Sequence, residues 1–95
     1  MAFFVYILAN KPHGVIYIGS ARDLRKRLEQ HRAGTSGSHT HKYNIKTLVY
    51  FEVFDEVIDA VHREKRFKRW RRSWKEDLIA DVNPDWRDIS DQIPF

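Results

Sequence analysis

Glu64 is an acid in strongly basic company: between Arg63 and Lys75 the chain carries eight lysines and arginines and no other carboxylate. Val57, Ala60, Val61 and Phe67 recur at spacings of three and four, the stripe of an amphipathic helix, and Glu64 falls in the gap of that stripe. A carboxylate turned towards a core is costly unless it is paired. One partner would be an arginine in a structural salt bridge. The other would be a hard divalent cation, because Mg²⁺ takes only one or two protein carboxylates and keeps several waters.

Arg27 and His31 lie one helical turn apart, beside the apolar pair Leu24 and Leu28. The forked donors of an arginine suit negative charge developing on phosphorus. A histidine there can hydrogen-bond a phosphate or assist a proton transfer. Read blandly, Arg27 is one solvated cation among several and His31 ends a helix. Tyr6 and Tyr17 sit in two short β-like segments. If a tight turn brings residue 6 opposite residue 17, both rings share one side of a sheet, with their hydroxyls in reach of one water. A phenol titrates ordinarily near 10, so it is a poor base unless a cation favours the phenolate. Aromatic core packing is the plain alternative.

The elements that must position these residues follow from local pattern. Residues 3–9 (FFVYILA) and 15–19 (VIYIG) are short and rich in β-branched and aromatic types. The intervening NKPHG puts Pro12 and Gly14 in a hairpin turn. Ser20-Ala21-Arg22-Asp23 offers a capping start to a helix that runs to about Arg32, and Gly34 ends it. GTSGSHTHKYN (34–44), with two histidines, is a polar loop long enough to suspect a role. TLVYFEVF (47–54) is apolar on both sides, which predicts a central strand covered on both faces. Asp55 is expected to cap the next helix, to about Trp70. Another helix spans Ser73 to about Val82, stopped by Asn83-Pro84. The tail should pack back through Trp86 and Ile89. The order β-β-α-β-α-α makes an α+β domain: a small, mostly antiparallel three-stranded sheet, hairpin plus central strand, flanked by helices.

The chain has 95 residues and no cysteine, so a disulfide framework and a thiolate zinc site are excluded. One domain, residues 1–95, is expected. The opening MAFFVYILAN is apolar but too short for a membrane span and lacks a positive leader, so a cytoplasmic protein is the expectation. A net charge of +4 is concentrated in two blocks, five cations from Arg22 to Arg32 and eight from Arg63 to Lys75. Such blocks fit a polyanion surface, with Arg22, Arg25, Lys26, Arg63, Lys65, Lys68, Arg69 and Arg72 as the expected phosphate contacts. Two well-solvated helix faces would have the same composition.

Taken together, the sequence resembles the GIY-YIG nuclease superfamily, in particular its small stand-alone bacterial branch. Val5-Tyr6-Ile7 and Tyr17-Ile18-Gly19 stand for its two strand triplets, with valine where the family name has glycine. Gly19 to Leu28 matches its "YIG-S-A-x-D-L-x-x-R" run, and His31 falls at a frequent histidine. Ala60 to Trp70 is similar to its "REK-x-x-K-x-W" segment, and Asn83 matches a late asparagine.

The resemblance implies a one-metal hydrolysis of DNA phosphodiester bonds, in the setting of repair or recombination. Glu64 would hold one Mg²⁺ or Mn²⁺, Tyr6 and Tyr17 would position water and take its proton, with Tyr6 the expected acceptor, and Arg27 would neutralise the transition state. His31 and Asn83 would orient the phosphate. Nothing reads as a base-reading element, so a branched, nicked or single-stranded DNA is expected rather than a sequence, with RNA not excluded and a protein partner a candidate for targeting. A non-catalytic nucleic-acid module on the same fold is the main rival. A protein-interaction face at Trp70 and Trp74 is a second, although tryptophans four apart on a helix are more often core.

Overall fold

Alternation along the first strand sorts the whole interior. In the computed structural model, which describes residues 2–34 and 43–94, β1 (Phe3–Ala9) sends Phe4, Tyr6 and Leu8 to one core and Val5, Ile7 and Ala9 to the other. All six are fully buried. β1 pairs antiparallel with β2 (Ile16–Ala21) on one side and with β3 (Thr47–Phe54) on the other, giving the order β2-β1-β3.

The central strand is therefore β1, not the segment 47–54. β3 lies at an edge, and its two-sided apolar character has another cause. Ile7 faces Tyr50 while Leu8 faces Leu48, so Val49 is an extra residue in a β-bulge. Leu48 joins one core, and Val49 and Tyr50 both join the other.

Helices cover both faces of the sheet. α1 (Leu24–Ala33) lays Leu24, Leu28 and His31 over the Phe4–Tyr6–Leu8 face, where Ile89 and Ile93 of the tail also pack. Asp23 caps it by accepting a bond from the Lys26 amide, and Gly34 closes it in the left-handed region, φ 75°. α2 (Val57–Arg69) and α3 (Arg72–Val82) cover the opposite face through Ala60, Phe67 and Ile79. Asp55 does not cap α2: Glu56 is the flanking residue, and its side chain makes no capping bond. α3 starts one residue before the expected Ser73 and stops at Val82, as Asn83-Pro84 predicts. Trp86 and Ile89 are buried, as expected of the tail.

In the hairpin turn the Gly14 amide donates to the Lys11 carbonyl. Pro12 supplies the second position and His13 the positive φ of 58°. Most of the polar loop 34–44, including both histidines, lies outside the described residues. No helix among the described residues is long and apolar enough to cross a membrane.

Candidate active site

The hairpin register differs from the simplest expectation but keeps its consequence. Tyr6 faces Gly19 and Tyr17 faces Leu8, so the two tyrosines are diagonal neighbours rather than direct partners. Because both offsets are even, the rings still share one face, with centroids 6.3 Å apart. His31 completes a cluster of three rings, 5.8 Å from Tyr6 and 5.2 Å from Tyr17. Its Nε2 lies 3.0 Å from the Tyr6 hydroxyl. Burial and the nearby Arg27 charge lower the His31 pKa, so the ring is kept neutral.

Tyr6 is wholly buried, whereas Tyr17 is only half-buried. Burial, the neighbouring Tyr17 and Glu64 push the Tyr6 phenol up to about 12, and Arg27 only partly offsets them. That setting disfavours Tyr6 as the residue that meets a water, contrary to the sequence expectation. Gly19 explains how the phenol reaches its place. A Cβ on Gly19 would lie 2.6 Å from the Tyr6 hydroxyl oxygen and 3.0 Å from the Tyr17 ring. The bare backbone of the edge strand leaves that space open.

Arg27 comes from α1 and Glu64 from α2, on opposite faces of the sheet, and the two approach each other at the β2 edge. Arg27 Nη1 lies 3.5 Å from the Ser20 carbonyl oxygen, and the Ser20 hydroxyl donates to Glu64 Oε1 at 2.5 Å. Lys68, one turn further along α2, donates to Glu64 Oε2 at 2.6 Å. Burial works against the charged form of Glu64, but the bonds from Lys68 and Ser20 and the charges of Lys68 and Arg27 outweigh it. The carboxyl is held below its ordinary range. Arg27 is thus felt at both the Tyr6 phenol and the Glu64 carboxylate. Ser20, read from the sequence as part of a helix-capping start, lies instead in β2 and links that strand to Glu64. Its signal was its place directly after Gly19 on the strand, facing away from the tyrosines.

Could this set hold a divalent cation? Among the described residues there is no cluster of three or more His, Cys, Asp or Glu side chains. A multidentate protein cage is therefore not built here. One ionised, partly sheltered carboxylate with a displaceable cation already on it does suit Mg²⁺ or Mn²⁺, which keep water as ligands. Lys68, whose side chain is 55% exposed, occupies the place of positive charge beside Glu64.

Asn83 is not in this cluster. It is buried at the β3 edge of the sheet, away from β2, where its amide donates to the carbonyls of Val49 and Arg87 and accepts from the Arg87 amide. These three bonds tie the end of α3 to β3 and to the tail. Several expected phosphate contacts are likewise committed elsewhere. Arg63 forks onto Glu52 at 2.9 and 3.0 Å and lies over the Phe67 ring, and Tyr50 donates to the same carboxylate. Arg25 donates to the Ile93 carbonyl, and Arg72 holds Glu76 and the hairpin carbonyls of His13 and Gly14. Arg22 and Lys26 line a depression of about 220 Å³ together with Arg27, adjoining the site. Lys65 and Arg69 are exposed on α2. Trp70 is half-buried against Phe67, but Trp74 is 51% exposed, so the pair is not simply core.

Residues 2–77 match the GIY-YIG catalytic domain. An UPF0213 protein of Staphylococcus saprophyticus is 35% identical over 78 residues, which are 82% of this chain and 94% of that protein. Another, from Clostridium perfringens, is 35% identical over 77 residues, 81% of this chain and 82% of its own. The solution NMR structure of an UPF0213 protein from Bacillus halodurans covers all of both chains with a TM-score of 0.58 at 24% identity, a likeness of fold. The domain match over most of the chain, with relatives at this level of identity, means that the chain belongs to the GIY-YIG nuclease superfamily.

Proposed function

We propose that this protein is a metal-dependent endonuclease that hydrolyses phosphodiester bonds in DNA. The observation that carries the reading is the approach of Arg27 to both the Tyr6 phenol and the ionised Glu64 at the β2 edge. Acid, guanidinium and phenols then border a single stretch of strand, Tyr17 to Ser20.

Glu64 would hold a Mg²⁺ or Mn²⁺ ion, which would supply Lewis-acid charge for phosphodiester hydrolysis. The chain's own residues do the rest. Arg27 holds the non-bridging oxygens as negative charge grows on them. Tyr17, the half-buried phenol, meets the attacking water and, acting as the phenolate, takes its proton to become the neutral phenol. Tyr6 and neutral His31, locked together behind it, fix the Tyr17 ring by packing on it. Ser20 orients the Glu64 carboxylate from the strand side. Arg22 and Lys26 grip the backbone next to the site without reading sequence. Cutting directed by DNA shape, of the kind repair and recombination need, suits a site with no base-reading element.

The test uses purified protein with nicked, flapped, single-stranded and duplex DNA and with RNA, in Mg²⁺, in Mn²⁺ and in EDTA. Metal-dependent cleavage should appear in the wild type and vanish in Glu64→Ala and in Arg27→Ala, with the folded state retained. Binding without any metal-dependent product, or full cleavage by Glu64→Ala, would overturn the proposal.

A further inference from the structure

Seven of the eight cations of the second basic block, with the adjoining His62, split into two populations by what their side chains meet. Arg63, Lys68 and Arg72 each hold a carboxylate, and Arg71 lies over the Trp74 ring. His62, Lys65, Arg66 and Arg69 differ. All four are exposed, and among the described residues none of their side chains makes an ion pair, hydrogen bond or ring contact. They fall at spacings of three, four and seven, so they form one stripe on α2, turned away from the buried Ala60 and Phe67. Together they line a shallow depression of about 230 Å³.

An ordinary solvated helix face pairs its charges one turn apart, as Lys68 does with Glu64 and Arg72 with Glu76. Here Lys65 and Arg69 are like charges four apart, and Arg66 and Arg69 are three apart, an arrangement that opposes helix formation. The one acid within the block, Glu64, is turned to the other side and already bound to Ser20 and Lys68. Among the described residues, nothing therefore compensates the charge of this stripe. Seven residues of helix advance about 10 Å. Neighbouring phosphates on one strand are further apart than their ~3.4 Å axial rise, because the strand winds round the duplex, so the stripe with its long side chains extended meets about two to three of them. Two of its cations are arginines, whose forked donors suit phosphate.

This stripe and the cutting site lie on opposite sides of α2, a helix about 10–12 Å across. A phosphate held by the stripe and a phosphate held in the cutting site therefore lie on different sides of that helix. We infer that Lys65, Arg66 and Arg69 bind the phosphate backbone of a second nucleic-acid arm, beside the arm that enters the site. The inference rests on the nuclease reading and sharpens its substrate: a branched or sharply bent DNA.

Binding in EDTA tests the inference without any need for cleavage, so its failure is distinguishable from failure of the nuclease reading. Fluorescence anisotropy would follow the full chain and its Lys65→Gln/Arg66→Gln/Arg69→Gln variant on a three-way junction and on a linear duplex of equal length, across a salt series. The slope of log affinity against log salt should shrink by about two to three units on the junction, since each lost phosphate contact on duplex is worth about 0.9. On the linear duplex the change should be under one unit. An Arg66→Lys/Arg69→Lys variant should keep most of the wild-type slope, which excludes simple unfolding as the cause. Equal losses on both DNAs, no loss on either, or a loss confined to binding of anionic lipid vesicles would each overturn the inference.

Discussion

The Tyr6 hydroxyl and His31 Nε2 lie 3.0 Å apart inside the protein, and neither residue is more than marginally exposed. Two polar groups this deep serve each other before they serve a substrate. Tyr17, packed on both rings, is the phenol that solvent can reach. Tyr17→Phe is expected to lower the cleavage rate by roughly 10²–10⁴, the usual share of a group that handles the proton. Tyr6→Phe should cost on the order of tenfold, the worth of one buried hydrogen bond. Single-turnover kinetics with DNA in excess metal would rank the two, and the reverse order would return the proton to Tyr6.

His31 gives the pH dependence. Its folded pKa is lowered by burial and by Arg27, below the ordinary value near 6.5. Cleavage that needs the neutral ring should persist as pH falls past that ordinary value and fail only with further acidification. Stability has the same sign. The unfolded chain takes up the proton first, so the contribution of His31 is complete above about 6.5 and is lost as pH falls from there towards the lowered folded value. Urea unfolding of the wild type and of His31→Asn across this window checks it, and the wild type should lose more on acidification.

Gly19→Ala tests the packing of the site. The added methyl would sit 2.6 Å from the hydroxyl oxygen of a tyrosine that has no free space to retreat into. Overpacking of that kind costs roughly 1–3 kcal/mol. The displaced ring should cost cleavage on the order of 10²-fold, as small misplacements in active sites do. Thermal melts and rates measured together would show a folded, crippled protein. An unimpaired rate would mean that the Tyr6 position is not needed.

Asn83→Ala separates scaffold from chemistry. The buried amide makes three hydrogen bonds to backbone, and leaving such groups unsatisfied costs ~1–3 kcal/mol each. Unfolding should therefore come several degrees earlier, while cleavage at low temperature stays within about twofold of wild type, since an exchange this far from the reacting atoms removes no interaction made only in the transition state. A lost rate with unchanged stability would restore Asn83 to the site.

Much of this was legible in the residues. The hairpin, the Asp23 and Gly34 boundaries of α1 and the stop at Asn83-Pro84 are local chemistry, and local chemistry is written in neighbouring positions. Strand order is not. β1 takes the centre because it pairs with a segment some forty residues away, and no period-two pattern encodes that partner. The same holds for cations. Arg63 and Lys65 look alike in sequence, yet one is bound to Glu52 and the other is free, because Glu52 lies on a strand that only folding brings under α2. The bond from Ser20 to Glu64 was not legible, because that partner is on the far helix. The site was legible by residue type, but not by which side of the sheet each residue approaches from.

The edge position of β3 has a further consequence. An apolar edge strand such as TLVYFEVF invites a neighbouring molecule to continue the sheet. Here the two carbonyls flanking the bulge are already engaged, Leu48 by the Ile89 amide and Val49 by the Asn83 side chain. Residues 83–89 thus act as a selvedge: they occupy part of the border where a second molecule would otherwise add a strand.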